Sequence, residues 1–226
     1  MNVLQFSGGI DSLACLLLLA NEPGLVVVTV QTDGSYEGTT TYLDFLEQRF
    51  SHLRFARVLS HRHIADFGRP VDVVPLRYTA YGQLSTGGDD VRYQDYFSCC
   101  NRAIWGPLDK ISRELHPETI YRGQRDTDRQ RAPIRDGFKD GSGVTIRFPI
   151  ASWTRDDVVS YVMQQAPDLM PPGYERGERT SRDCWDCTAY LEDNRQRIAN
   201  LPEQKHQFVM KLLNRWRDDV AEGMGD

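Results

Sequence analysis

The stretch that decides the fold is Val3–Leu19, VLQFSGGIDSLACLLLL. Val3–Phe6 reads as a short buried strand, and Ile10–Ala20 reads as a helix. Two glycines and three small polar side chains stand between them. Gly8 and Gly9 allow the backbone to turn sharply and to approach a ligand closely. The first amides of the following helix point at the same place, and the helix dipole favours an anion there. Ser7 and Ser12 add hydroxyl donors. Asp11 would by itself repel a phosphate, so its expected work is to hold the loop or a metal ion. An ordinary strand-to-helix turn is the plainer reading. The full pattern S-G-G-x-D-S at the first such junction points instead to phosphate binding.

Outward from this loop, elements alternate. Leu25–Val30 (LVVVTV) is β-branched, bounded by Pro23-Gly24, and reads as a buried strand. Thr39–Phe50 has helical spacing. Strands are expected near Phe55–Leu59 and Val71–Leu76, a loop over Tyr78–Asp90, and a helix over Arg102–Leu115 despite Gly106-Pro107. Thr119–Arg122 reads as a strand entering an arginine-rich loop, and Val144–Ile150 as another strand. Thr154 and Asp157 make a capping box for a helix to about Gln165. Pro167–Arg182 reads as a loop. Leu191 to about Val220 reads as helical, restarting at Pro202. Alternation of this kind predicts an α/β fold, a doubly wound and mostly parallel sheet, with a C-terminal helical extension. In such sheets ligands sit beyond the carboxyl ends of the strands.

The 226 residues suit one α/β domain with an extension. We divide them into a nucleotide-binding domain over 1–188 and a helical tail over 189–226. The net charge of -5 argues against a general nucleic-acid coat. Mean hydropathy is -0.52, and no apolar run approaches the ~20 residues of a membrane span. Met1-Asn2 leads directly into a strand without a signal-like region, so a cytoplasmic setting is expected.

The five cysteines are Cys15, Cys99, Cys100, Cys184 and Cys187. An odd count of this kind is a poor disulfide framework. Cys15 falls in the apolar helix, where packing is its expected role. The other four form an adjacent pair and a C-x-x-C, with 83 residues between Cys100 and Cys184. Four thiolates from two segments can hold a zinc ion or a [4Fe-4S] cluster. Adjacent ligands are awkward around one small ion and easier on a cluster, where each sulfur reaches a different iron. Buried, unliganded thiols are the remaining reading.

SGGIDS resembles the pyrophosphate-binding loop of the PP-loop ATP pyrophosphatase superfamily. Later segments resemble its sulfonucleotide reductase branch, the PAPS/APS reductase family. These are Thr32-Asp33-Gly34 with Thr39–Glu47, "SCCNRAIWGPLDK", "IYRGQRDTDRQR", "FPIASWTRDDVVSYV" and "PPGYERGERTSRDCWDCT". They run in the family's order from about residue 3 to 188. The resemblance implies a Rossmann-type, adenine nucleotide alpha hydrolase-like fold. It also implies an adenine nucleotide, ATP with Mg²⁺ or a sulfonucleotide, as ligand, and a [4Fe-4S] cluster on Cys99, Cys100, Cys184 and Cys187.

Arg122, Arg125, Arg129, Arg131 and Arg135 lie among aspartates in a loop that could be solvated and self-neutralising. Its place after a strand, and the resemblance, point to phosphate or sulfate binding. Arg125, in Gly123-x-Arg, is the first choice, with Arg129 and Arg131 beside it. Asp33 is expected near the nucleotide or its Mg²⁺, or as a turn residue. His61 and His63 read as surface residues rather than metal ligands, and Trp153 and Tyr174 as packing residues. The tail would form a helical cap or an oligomer contact.

Reductases of the family use a cysteine near the C-terminus as nucleophile, and no cysteine follows Cys187 in this sequence. The complete SGGIDS also resembles the pyrophosphatase form of the loop. The leading expectation is an enzyme that transfers AMP from ATP to an acceptor and releases pyrophosphate, with Asp11, Ser12 and Arg125 at the reacting centre. A sulfur or thiol donor would supply sulfur. The alternatives are an APS/PAPS reductase that borrows an external thiol, and a non-catalytic nucleotide-binding module of a larger assembly.

Overall fold

Strand β1 (Asn2–Gln5) lies at the centre of a six-stranded sheet, and its residues divide alternately between two cores. Val3 packs on one face with Val26 and Val28, and Leu4 on the other with Leu25 and Val27. This is the two-residue period of a strand buried on both sides. A computed structural model describes residues 1–86, 91–128, 134–178 and 183–224.

After β1 come α1 (Ile10–Leu19), β2 (Leu25–Thr32), α2 (Glu37–Arg49), β3 (Arg54–Ser60), α3 (Ile64–Phe67), β4 (Arg69–Val71), α4 (Ala80–Thr86), β5 (Tyr93–Asp95) and α5 (Tyr96–Cys100). A π-helical turn, Asn101–Trp105, joins α5 to α6 (Gly106–Glu114). There follow β6 (Thr119–Arg122), β7 (Phe138–Lys139), β8 (Thr145–Arg147), α7 (Arg155–Gln165), α8 (Leu191–Ala199) and α9 (Glu203–Met224). The sheet order is β3-β2-β1-β6-β8-β7. All neighbours are parallel except β7 against β8.

All eight residues of β2 are buried. Each fully buried valine, such as Val27 or Val28, contributes about 1.5–3 kcal/mol relative to exposure. Residues of α1, α2 and α7 cover one face, and Leu108 of α6 helps to cover the other. The sheet is therefore doubly wound. Because β1 lies between β2 and β6, the segments leaving β1 and β6 emerge side by side at the carboxyl edge.

Several expectations need correction. The strand placed at Val71–Leu76 is Arg69–Val71, paired with Tyr93–Asp95 in a separate two-stranded sheet. Leu76–Tyr78 is a 3₁₀ turn instead. The loop placed at Tyr78–Asp90 contains α4; residues 87–90 lie outside the described residues. These elements are short and owe their form to tertiary contacts rather than to periodicity. The helix placed at Arg102–Leu115 does run through Gly106-Pro107, but its first turn is π-helical. Pro107 is tolerated near the start of α6, where its missing N–H costs little. A Cβ on Gly106 would lie 2.7 Å from the Asn101 carbonyl, so the wide turn needs glycine there.

The reciprocal capping box of α7 is present. The Asp157 amide donates to Thr154 Oγ1 at 3.1 Å, and the Thr154 amide to Asp157 Oδ2 at 2.8 Å. The tail helices pack back on the body. Ile198, Leu201 and Val209 form a buried cluster with Tyr36. Tyr78 and Tyr93 donate to the two oxygens of Asp219, at 3.1 and 2.5 Å. Among the described residues no helix is long and apolar enough to cross a membrane.

Candidate nucleotide and thiol site

The Ser7–Ser12 loop leaves the carboxyl end of β1 and opens α1. Gly8 has a positive φ of 76°, a conformation that glycine adopts without strain. Gly9 is the N-cap of α1 and has no side chain with which to cap it. Ser12 Oγ donates to the Gly9 carbonyl at 2.8 Å and lies 3.3 Å from Ser7 Oγ. The two hydroxyls thus meet at the mouth of the loop.

The Gly-x-Arg segment after β6 presses on this loop. A Cβ at Gly123 would stand 2.9 Å from the backbone of both Asp11 and Ser12. Two residues on, Arg125 Nε is 2.9 Å from Asp11 Oδ1. Asp128 holds the same arginine, accepting from its amide and from Nη2, each at 2.9 Å. In this structure Asp11 thus faces a guanidinium at the mouth of the loop. Arg155, the first residue of α7, is 4.0 Å from Asp11 on its other oxygen. Tyr174 packs against the core, and its hydroxyl also accepts from the Ile10 amide at 3.3 Å. Burial pushes that hydroxyl's pKa up, with the positive charge of Arg155 opposing. Arg129 and Arg131 lie outside the described residues.

The carboxyl end of β2 carries the second half of the site. Asp33 Oδ1 accepts from Arg62 Nε at 2.8 Å. Burial works to raise the Asp33 carboxyl, but the hydrogen bonds and charge of Arg62 outweigh it and hold the carboxyl below its ordinary range. The buried Arg62 also pairs with Asp186, which Arg69 meets at 3.1 Å. Asp186 lies inside the C-x-x-C. Asp33 is thus part of an ion network that ties the end of β2 to the cysteine loop. Gly34 extends the tie: its carbonyl accepts from the Trp185 amide at 2.9 Å. Thr32 Oγ1 is 3.5 Å from Cys184 Sγ.

The fold brings the two cysteine pairs within electrostatic reach of one another. Burial raises the Cys100 thiol far above its usual range, and Cys187, Cys99 and Cys184 push it further. Burial likewise raises Cys99, to about 11, with Cys187 adding to the shift. Cys184 and Cys187 are raised chiefly by burial as well. Among the described residues no three His, Cys, Asp or Glu side chains are grouped as a site for one metal ion. That holds for His61 and His63 too, and His63 instead pairs with Asp66 at 3.3 Å. Cys15 is fully buried, as expected, and its thiol is raised to about 12 by burial and then by Asp11.

Sequence reasoning did not single out Arg62, Asp186 or Arg197. Arg197 of α8 is 2% exposed. It donates to the carbonyls of Cys184, Trp185 and Cys187 at 2.6, 3.2 and 3.3 Å. The one available signal was Asp186 itself, an acid placed between two cysteines.

A family model described as the phosphoadenosine phosphosulfate reductase domain matches residues 1–189. The chain belongs to this family. Among solved structures, a phosphoadenylyl-sulfate (PAPS) reductase from Candida auris, in a phosphate complex, aligns with a TM-score of 0.53 at 13% identity, covering 80% of each chain. At that identity the likeness speaks for the fold. An NMN synthetase from Francisella tularensis covers 98% of this chain and 85% of its own, at 11% identity and a TM-score of 0.45. No curated protein matches. The chain thus has the nucleotide-binding enzyme fold of the PAPS reductase family, with its site residues along the carboxyl edge of the sheet.

Proposed function

We propose that the chain binds ATP at the Ser7–Ser12 loop and transfers its adenylyl group to an acceptor, releasing pyrophosphate. The observation that carries this reading is the apposition of two segments. The glycine loop after β1 and the Gly123–Arg125 turn after β6 meet at the carboxyl edge, where only glycine fits between them. The α1 amides and the Ser7 and Ser12 hydroxyls would hold the β and γ phosphates. Arg125 would turn from Asp11 to the phosphate oxygens as charge builds up on the leaving pyrophosphate. An acceptor atom attacks the α phosphorus, the bond from that phosphorus to the bridging oxygen breaks, and pyrophosphate leaves with the electron pair.

Asp11 and Asp33 are each engaged by a guanidinium, so these carboxylates do not form a ready Mg²⁺ cradle. Mg²⁺ belongs to the substrate as MgATP. The four thiols fit a cluster better than a single ion. They come from two segments, and ionisation of one would oppose ionisation of its neighbours unless a metal group took up the charge. Cys99, Cys100, Cys184 and Cys187 would hold a [4Fe-4S] cluster, which would supply electron or sulfur handling. Residues 1–188 form the nucleotide-binding body in this reading, and 189–226 the tail that clamps it.

The family match favours a second reading, a sulfonucleotide reductase. Since Cys15 is fully buried and the other four are ligands in this scheme, it would need an external thiol. The test uses anaerobically prepared protein. ATP and pyrophosphate should compete for one site, and Arg125→Ala should weaken both. Multiple-turnover sulfite release from APS or PAPS with thioredoxin would overturn adenylyl transfer in favour of reduction.

A further inference from the structure

Two buried arginines stand beside the C-x-x-C loop, and their surroundings differ. Arg62 is balanced by Asp33 and Asp186. Arg197 meets only neutral acceptors. They are Asn194 Oδ1 at 3.0 Å, the Tyr36 hydroxyl at 2.8 Å, and the three carbonyls of Cys184, Trp185 and Cys187. Among the described residues no carboxylate forms an ion pair with it.

A guanidinium stays charged at any ordinary pH. Burying such a charge without a partner is costly, so native interiors pair it. The carbonyls satisfy its donors but carry no net charge. Asp186 in the same loop is already shared by Arg62 and Arg69, so the chemistry left to supply further standing negative charge there is the cysteine pair whose backbone Arg197 grips. A buried thiol is neutral, whereas a thiolate bound to metal is not.

We propose that Arg197 is a positioning residue for an anionic metal–thiolate group on Cys184 and Cys187, and that this group is its counter-charge. The inference rests on the cluster reading above. Arg197 does two separable things. Its planar fork fixes the loop carbonyls and so the direction of both thiols. Its charge offsets the group's negative charge, which favours the reduced, more negative state.

The experiment reconstitutes the full chain anaerobically with ferrous iron and sulfide, as parent, Arg197→Lys and Arg197→Gln. Lysine keeps the charge and loses the fork; glutamine keeps a donor amide and loses the charge. Iron and sulfide content, iron loss to a chelator and midpoint potential are measured, with circular dichroism to verify folding. Arg197→Gln should lose iron about tenfold or more faster than the parent, with a more negative potential. Arg197→Lys should lose iron at an intermediate rate and keep the parent's potential. If Arg197→Gln does not fold, Arg197→Met serves as a second charge-free variant. A charge-free variant with the parent's potential overturns the proposal, whether or not it loses iron, because a purely structural arginine would not move the potential. A parent that takes up no iron and sulfide overturns the cluster reading and this inference with it.

Discussion

In the Ser7–Ser12 loop the two serine hydroxyls bond locally: Ser12 bonds to Gly9, and Ser7 lies against Ser12. Around Cys184 and Cys187 the polar contacts come from far away in the chain. Arg62 reaches Asp186 across 124 positions, and Tyr36 meets Arg197 across 161. Both regions stand on the same edge of the same sheet. The first is shaped largely by its own few residues, with outside contacts from Gly123, Arg125, Arg155 and Tyr174. The second exists only when β2, the segment after β3, β4, the cysteine loop and α8 have all come together. A local device can be read as a motif, whereas an assembled one depends on pairings that no short window contains.

The largest effect should come from breaking the assembled region. Asp186→Ala leaves Arg62 and Arg69 without their shared carboxylate, whose side chain is only 6% exposed. Loss of one partner from a buried pair costs about 3–5 kcal/mol. The denaturation midpoint should fall accordingly, and the cysteines should label faster with a thiol reagent. ATP affinity of the fraction still folded should change little. A matching loss of ATP affinity would break the separation of the two regions.

Gly123→Ala attacks the local region where the Gly123 backbone presses on it. Overpacking against the Asp11 and Ser12 backbone costs about 1–3 kcal/mol. If the loop takes up that strain, ATP affinity falls about tenfold for every ~1.4 kcal/mol. Calorimetric titration with ATP would measure it, and thiol labelling should stay at the parent rate. Gly8→Ala should do less. Nothing lies within 4 Å of its added Cβ, so only the strain of φ 76° remains, about 1–2 kcal/mol. Unchanged stability in Gly8→Ala would show that the loop relaxes out of this conformation.

The smallest effect is a pH dependence. The folded Asp33 carboxyl lies below its ordinary value, so its ionised form stabilises the fold at neutral pH. That contribution is complete above the unfolded pKa, near 4. It is lost as pH falls through the lower, folded value. Asp33→Asn should therefore narrow the gap to the parent as pH drops below about 4. A gap that stays constant down to acid would mean that Arg62 does not hold Asp33 in solution.

The two regions also differed in how far the sequence revealed them. The strand–glycine–helix unit at Val3–Leu19 and the capping box at Thr154 were legible because a few adjacent residues impose each. The cysteine pairs were legible as a spacing, and the fold places Cys187 within electrostatic reach of Cys99 and Cys100. Their surroundings were not legible. An arginine such as Arg62 or Arg197 looks like any surface arginine until distant acceptors are placed around it. The hydrogen bond of Tyr174 was hidden for the same reason, since its partner at Ile10 is 164 residues away. The side sheet of β4 and β5 has three residues per strand, too few for a period to show.

The grip of Arg197 has a consequence in time. It lies ten residues after Cys187, and Phe208, which packs 5.6 Å from Trp185, follows later still. During synthesis both cysteine segments leave the ribosome before the helices that enclose them. The thiols are first open to the surrounding medium and only afterwards walled in. Such an order suits the loading of a group too bulky to pass through a finished wall, and it makes the docking of α8 and α9 the step that closes the door.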